Sequence, residues 1–273
     1  MAAWGASRMM RIDQLLVQRG LASTRSQAQR LIGSGVQCRT DGAWKRVAKN
    51  GDLVSPDAEI ELLDDSEARF VSRGGLKLEG ALAQVGLDVA GSICLDLGQS
   101  TGGFTDCLLQ RGAAHVVGVD VGFGQLHEQL RQDSRVSFVE RVNARQLKDD
   151  DLPAAGVEAS PSADVPRWRF DLIVGDLSFI SQTLVLPAAV PFLKPGGAVL
   201  MLVKPQFELQ PGQVGKGGIV TDPAMAAVVE KRIRAAHAAL GLQVQAYFAS
   251  SIAGGDGTRE FFVYSIRQPE VLP

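Results

Sequence analysis

Apolar residues recur at helical spacing at Ile12, Leu15 and Leu16, and again at Ala28, Leu31 and Ile32, the period expected of a buried helix face. Ser23-Thr24-Arg25-Ser26 offers a start for the second helix, and Gly33 and Gly35 end it. Residues 36–39 then read as a strand and Asp41-Gly42 as a hairpin turn. The first part of the chain is therefore predicted to run helix, helix, hairpin, a small α+β unit. From Gly91 onward the pattern changes. Short apolar runs at 93–97, 115–119, 136–139, 172–175 and 198–203 alternate with helical patterns, which predicts an α/β domain with a parallel sheet wrapped on both faces. Two last runs, 242–248 and 261–266, flank a Gly-rich turn at 254–257 and predict an antiparallel pair that closes the sheet.

Composition narrows the class. The 273 residues are 45% hydrophobic and 21% charged, the balance of a globular protein. Ala198-Val199-Leu200-Met201-Leu202-Val203 falls far short of the ~20 residues of a membrane helix, and Pro187 and Pro191 interrupt the next candidate. No membrane association is expected. The first ten residues carry Arg8 but no apolar stretch, so a secretory signal is not expected and a cytoplasmic location is. Cys38, Cys94 and Cys107, like His115, His127 and His237, are too scattered for a disulfide framework or a metal site, and no metal is expected.

Charge changes the picture further, because the formal net charge of -2 conceals a segregation. Residues 11–50 hold eight basic side chains (Arg11, Arg19, Arg25, Arg30, Arg39, Lys45, Arg46 and Lys49) against Asp13 and Asp41, whereas residues 51–69 hold seven acidic ones against Arg69. A basic module with a boundary near residues 65–70 follows. The expected organisation is an extension over 1–9, the basic module over 10–66, a linker over 67–71, a large domain over 72–268 and a tail over 269–273. Arg11, Arg19, Arg25, Arg30, Lys45 and Arg46 are the candidate contacts to RNA phosphates, an attraction that is strong and salt-dependent.

In the large domain the first strand ends in Asp96-Leu97-Gly98-Gln99-Ser100-Thr101-Gly102-Gly103-Phe104-Thr105-Asp106. The glycines let the backbone turn sharply at the ligand edge of such a sheet. The spacing Asp-x-Gly-x-x-x-Gly is not the Gly-x-Gly-x-x-Gly that seats a dinucleotide pyrophosphate, which favours a cofactor without phosphates and counts against a nicotinamide-dependent dehydrogenase. S-adenosylmethionine fits. Asp96 can attract its ammonium group, and Asp120, ending the second strand 22 residues after Gly98, can accept its ribose hydroxyls. The candidate cofactor residues are Asp96, Gly98, Ser100, Thr101, Gly102, Gly103, Phe104 and Asp120, with Asn143, Ala144 and Arg145 bordering the adenine. Lys216 in the 212–218 loop lacks the following Ser or Thr of a nucleotide-binding loop, and residues 152–169, rich in Ala, Ser and Pro, read as a surface insertion.

Four polar residues stand out against apolar surroundings: Lys77, Asp176, Lys204 and Glu260. Asp176 and Lys204 both end predicted parallel strands, where such folds carry out chemistry. With Asp96 to Asp106 and Asp176-Leu177-Ser178-Phe179-Ile180-Ser181, these four resemble the Lys-Asp-Lys-Glu set of the FtsJ-like ribose methyltransferases. The N-terminal pattern Arg11-Ile12-Asp13-x-Leu15-Leu16 resembles the small RNA-binding domain first described in ribosomal protein S4. Taken together with Val214-Gly215-Lys216-Gly217-Gly218, the chain is similar over nearly its whole length to the TlyA family. The resemblance implies a Rossmann-like S-adenosylmethionine methyltransferase sheet of seven strands, the last antiparallel, behind an S4-type domain. It implies methylation of cytidine 2′-hydroxyls in ribosomal RNA, with ribosomal RNA or ribosomal subunits as partners. Lys204 is the candidate to take the hydroxyl proton or to orient the hydroxyl, and the sequence leaves both roles open. The alternatives are a non-catalytic ribosome assembly factor and a haemolysin, a label members of the family carry, although no strongly amphipathic membrane-active helix is evident.

Overall fold

The structure, a computed structural model, describes residues 9–40, 42–63, 68–153, 167–215, 220, 222–254 and 258–269. Asp41 of the expected turn, nearly all of the 1–9 extension, most of the 152–169 insertion, Lys216, and most of the 254–257 turn and the 269–273 tail lie outside the described residues. The chain divides into two compact units between Arg73 and Gly74.

In the first unit, β1 (Met10–Arg11) leads directly into α1 (Ile12–Gln18), followed by α2 (Arg25–Gly35). Thr24 caps α2, its Oγ1 accepting the Gln27 N–H at 3.1 Å. β2 (Val36–Thr40) pairs with β3 (Ala43–Arg46) as the expected hairpin. β4 (Leu53–Val54) pairs with β1, and β5 (Ile60–Leu62) adds a third strand beside β2. β1, β4 and β5, strands of two or three residues, are too short to carry an alternation of their own and leave no mark in the sequence pattern. Ile12, Leu15, Leu16, Ala28, Leu31, Ile32 and Val36 form the core of this unit, all essentially removed from solvent.

The second unit opens with α3 (Gly74–Val85) and β6 (Ile93–Leu97), then α4 (Gly103–Gln110), β7 (His115–Val119), α5 (Glu128–Arg131) and β8 (Val136–Val139). β9 (Phe170–Gly175), α6 (Gln182–Ala189), β10 (Leu193–Val203), α7 (Pro205–Glu208), α8 (Pro223–Ala239), β11 (Leu242–Ala249) and β12 (Phe261–Arg267) complete it. Among the described residues seven strands form one sheet in the order β11-β12-β10-β9-β6-β7-β8. β12 runs antiparallel to both of its neighbours, β10 and β11. The chain winds from β6 through β7 to β8 on one side, then returns to β9 on the other, and ligands bind such sheets at the carboxyl ends of the strands flanking that reversal. The buried aliphatic faces of β6, β7, β9 and β10 meet α6 and α8 in one core with Trp168, Phe170, Val229 and Ile233.

Candidate active site

Pairing register brings the functional residues to a single edge. Leu97 pairs with Gly175, Gly175 with Met201, and Val203 with Phe261. Asp176, Lys204 and Glu260 each lie one residue beyond these pairs, so three of the four polar residues share the carboxyl edge of the parallel strands. Gly98 follows β6 with φ +77°, and a Cβ there would stand 3.1 Å from the Asp176 carbonyl oxygen. Glycine at this position lets the two strand-end loops touch. Gly102 has φ +94°, and a side chain there would run into Leu130 and Leu126.

A cleft of about 440 Å³ opens beside this edge, within the size range of small-molecule sites. Gly98, Ser100 and Asp120 line it on one side, with Asn143 and Ala144 next to them, and Leu177, Ile180 and Val185 supply apolar surface. The Asp120 carboxylate is fixed by two backbone N–H groups, from Ser100 to Oδ2 at 2.7 Å and from Gly122 to Oδ1 at 2.6 Å. Each oxygen keeps a lone pair for another donor. Asn143 accepts the Arg145 N–H and so shapes the turn through Ala144. Asp96, Thr101, Gly102, Gly103, Phe104 and Arg145 are not among the lining residues. Phe104 packs against Phe262 in the interior, and Gly102 and Gly103 start α4, so these three support the loop instead of facing the cleft.

Asp96 is 1% exposed. Its Oδ2 accepts the Thr105 hydroxyl at 2.7 Å, and Gln99 Nε2 donates to the same Thr105 oxygen at 2.9 Å. Oδ1 has no hydrogen-bond partner among the described residues. Burial pushes this carboxyl up to about 7, against the opposing hydrogen bond from Thr105. Gln99 fills the space that a side chain on Gly118 would need, since a Cβ there would fall 1.9 Å from its amide carbon. An orphaned carboxylate oxygen at the base of the glycine turn fits a cationic ligand group, because a buried charge without a partner is costly.

The four candidate catalytic residues form two ion pairs. Lys77, buried on α3, meets Glu260 Oε2 at 2.6 Å. Lys204 meets Asp176 Oδ1 at 2.5 Å, and its Nζ also donates to Ser178 Oγ at 2.9 Å. The Ser178 bond takes one Nζ proton, while the Asp176 contact is an ion pair.

Several contributors leave no signal in the sequence. Ser178 is a second partner of Lys204. Phe179, 91% exposed with φ +65°, reaches Phe207 at a ring separation of 5.2 Å. Glu208 is buried, accepts the Gln182 N–H at 3.0 Å and the Ser181 hydroxyl, and burial raises its pKa. Only an exposed aromatic in a polar loop could have been suspected from sequence. The other contacts join residues some 26 positions apart.

In the first unit, Arg11 and Arg25 close on the fully buried Asp13, Arg11 through two hydrogen bonds of 3.0 and 2.9 Å and Arg25 through one of 2.9 Å. The Arg11 guanidinium holds the Asp13 carboxyl well below the usual carboxylate range. Arg19 donates to the carbonyl oxygens of Pro56 and Ala58. Arg30 is half-buried, while Lys45 and Arg46 are exposed along β3. Of the six candidate RNA contacts, Arg11, Arg19 and Arg25 thus also brace the unit.

Strand order, the cleft at the β6/β9 reversal and two lysine–carboxylate pairs beside it define the class: a Rossmann-like enzyme of the methyltransferase type. The FtsJ-like methyltransferase model matches residues 70–267 and the S4 domain model residues 10–35. The chain belongs to the FtsJ-like methyltransferase family, in the TlyA group. It is 44% identical over 94% of its length to the 16S/23S rRNA (cytidine-2′-O)-methyltransferase TlyA of Mycobacterium tuberculosis, covering 90% of that protein. It is 38% identical to Hemolysin A of Brachyspira hyodysenteriae, over 78% of this chain and 81% of that one. A solved protein from Streptococcus thermophilus, provisionally assigned as a hemolysin, matches with a TM-score of 0.70 and 38% identity, covering 97% of this chain and 92% of that chain.

Proposed function

We propose that this protein transfers a methyl group from S-adenosylmethionine to the ribose 2′-hydroxyl of a cytidine in ribosomal RNA, and that it does so in the cytoplasm. The observation that carries the reading is the Asp176–Lys204–Ser178 cluster at the strand ends, next to a cleft with Asp120 on its wall and the unpaired Asp96 oxygen at the base of its glycine turn. Relatives of 44% identity bear the matching name.

When bound, the cofactor supplies a methyl group on a sulfonium centre. Asp96 attracts its ammonium group, Asp120 accepts its ribose hydroxyls, and the Gly98 turn with Ser100, Thr101, Gly102 and Gly103 shapes its seat. Asn143, Ala144 and Arg145 border its base. As the free amine, Lys204 accepts the hydroxyl proton on its nitrogen lone pair as the oxygen attacks the methyl carbon; as the ammonium, it orients the hydroxyl through an N–H and the proton leaves to solvent. Lys77 and Glu260 keep charge balanced at the buried end of the site. Arg11, Arg19, Arg25, Arg30, Lys45 and Arg46 attract the phosphate backbone. The S4-type module and the methyltransferase domain, assigned to residues 10–66 and 72–268 with a linker over 67–71, divide RNA docking from chemistry. Among the described residues no helix is long and apolar enough to cross a membrane.

The test is transfer of tritiated methyl from S-adenosylmethionine to ribosomal subunits, with the label mapped to base or ribose. Wild-type protein is expected to label a cytidine ribose, and Lys204→Ala to lose about 10²- to 10⁴-fold in kcat while cofactor affinity stays within about threefold. Cofactor binding without transfer to any ribosomal substrate would overturn the reading in favour of a non-catalytic RNA-binding factor.

A further inference from the structure

We propose that Glu208 is a positioning residue for the methyl-transfer site: its buried carboxylate ties the loop that follows Asp176 to the turn that follows Lys204, fixing those two side chains against each other. The inference rests on the functional reading above.

Each segment has little backbone bonding: the turn has the Phe207 N–H on the Lys204 carbonyl at 2.9 Å and the Leu209 N–H on that of Pro205 at 3.2 Å, and the loop is anchored at its start by the Asp176 N–H on the Leu97 carbonyl at 3.2 Å. Residues 176–181 form an irregular loop between β9 and α6, with Ser178 and Phe179 exposed and Phe179 in the left-handed region. α7 is a single turn of four residues, and a helix that short is not stable by itself. Lys204 is the residue immediately before that turn. Glu208, at its end and 3% exposed, reaches across to the far end of the loop. Oε1 accepts the backbone N–H of Gln182 at 3.0 Å, Oε2 accepts the Ser181 hydroxyl, and Arg232 of α8 holds the Glu208 carbonyl at 2.6 Å.

The tie continues through the interior. Gln182 Oε1 accepts from His237 Nε2 at 3.2 Å, and His237 Nδ1 meets Ser265 Oγ at 2.6 Å. Ser265 belongs to β12, the strand that begins directly after Glu260. Ser181, Gln182, Glu208, His237 and Ser265 are all at most 6% exposed, and none lines the cofactor cleft. A hydrogen-bonded track therefore joins the elements that carry Asp176, Lys204 and Glu260. Ser181 already caps α6 through the Thr183 N–H at 3.2 Å. A buried carboxylate placed there as well, at a desolvation cost, does something a helix cap alone does not require: it couples two strand-end loops whose misplacement by about 1 Å costs an enzyme on the order of 10²-fold in rate.

The full-length chain is compared with Glu208→Gln and Glu208→Ala, measuring kcat and KM on ribosomal subunits, affinity for S-adenosylhomocysteine, and hydrogen exchange of the amides at 177–182. Glu208→Ala is expected to lower kcat about 30-fold or more, with KM and cofactor affinity within about threefold and faster exchange at 177–182. Glu208→Gln, whose amide oxygen can accept from Gln182 and whose amide N–H can donate to Ser181, is expected to stay within about threefold of wild type. An alanine variant with wild-type kcat overturns the proposal, as do a parallel loss of cofactor affinity and a glutamine variant as poor as alanine. If the unaltered chain transfers no methyl group, the functional reading fails separately and exchange decides the tie: unchanged rates at 177–182 overturn it, faster rates uphold it.

Discussion

Asp96 combines deep burial, one satisfied oxygen and one orphaned oxygen, and its carboxyl is pushed up to about 7. A cationic ligand group favours the ionised form, so below pH 7 binding must also remove a proton. Affinity for S-adenosylhomocysteine is expected to fall about eightfold from pH 7.5 to pH 6. Asp96→Asn should bind more weakly at pH 7.5 and lose this pH dependence, as titration calorimetry at the two pH values would register. A wild-type affinity that is flat over this range would remove Asp96 from the ammonium site. The place of Asp96 near the end of a strand, just before the glycine turn, was legible, because the apolar run and the glycines mark both. Its partners were not. Gln99 is only a minor oddity in the string Gly98-Gln99-Ser100, and the fold is needed to show that its amide occupies the space left by Gly118 and donates to Thr105.

At the scale of elements, the long strands were visible because buried parallel strands are unbroken apolar runs, and β6, β7 and β9 carry few polar side chains. The insertion of β12 between β10 and β11 was not visible, since chain order predicts only that the last two strands pair with each other. The same tertiary information was needed for His237, which reads as a scattered histidine but joins α8 to α6 and β12. Burial pushes its pKa down to about 4, so it is neutral in the fold. The unfolded chain gains a proton below about pH 6.5, which favours unfolding. The stabilisation is full above that value and is lost as pH falls toward 4, by roughly 3 kcal/mol. Urea unfolding of the intact protein at pH 7 and at pH 4.5 should show this loss, and His237→Gln should show a shallower one. An equal acid slope in both proteins would mean that other groups govern it.

Across the whole molecule, charge is divided: the chain is near neutral overall, but a basic excess is concentrated in residues 11–50 of the first unit. The sequence located the excess without revealing that its cations have different duties. Arg11 and Arg25 enclose a fully buried Asp13, so removing either leaves that carboxylate short of a donor. Arg25→Ala is expected to cost about 1–3 kcal/mol in the stability of this unit. The contribution of Asp13 is present above about pH 4 and is lost as pH falls through its depressed folded pKa. Lys45 and Arg46 are exposed on the outer strand of the three-stranded sheet, so their replacement by alanine should leave the melting temperature unchanged. If they neutralise phosphates, the double variant should bind ribosomal RNA more weakly, and its plot of log affinity against log salt should be shallower by about 2. Filter binding between 50 and ~200 mM salt separates the duties. A shallower slope with unaltered melting assigns these two residues to RNA, whereas an unchanged slope moves the phosphate contacts to other cations of the first unit. An Arg25→Ala protein that melts like wild type would show that Arg11 alone satisfies Asp13, freeing Arg25 for the nucleic acid.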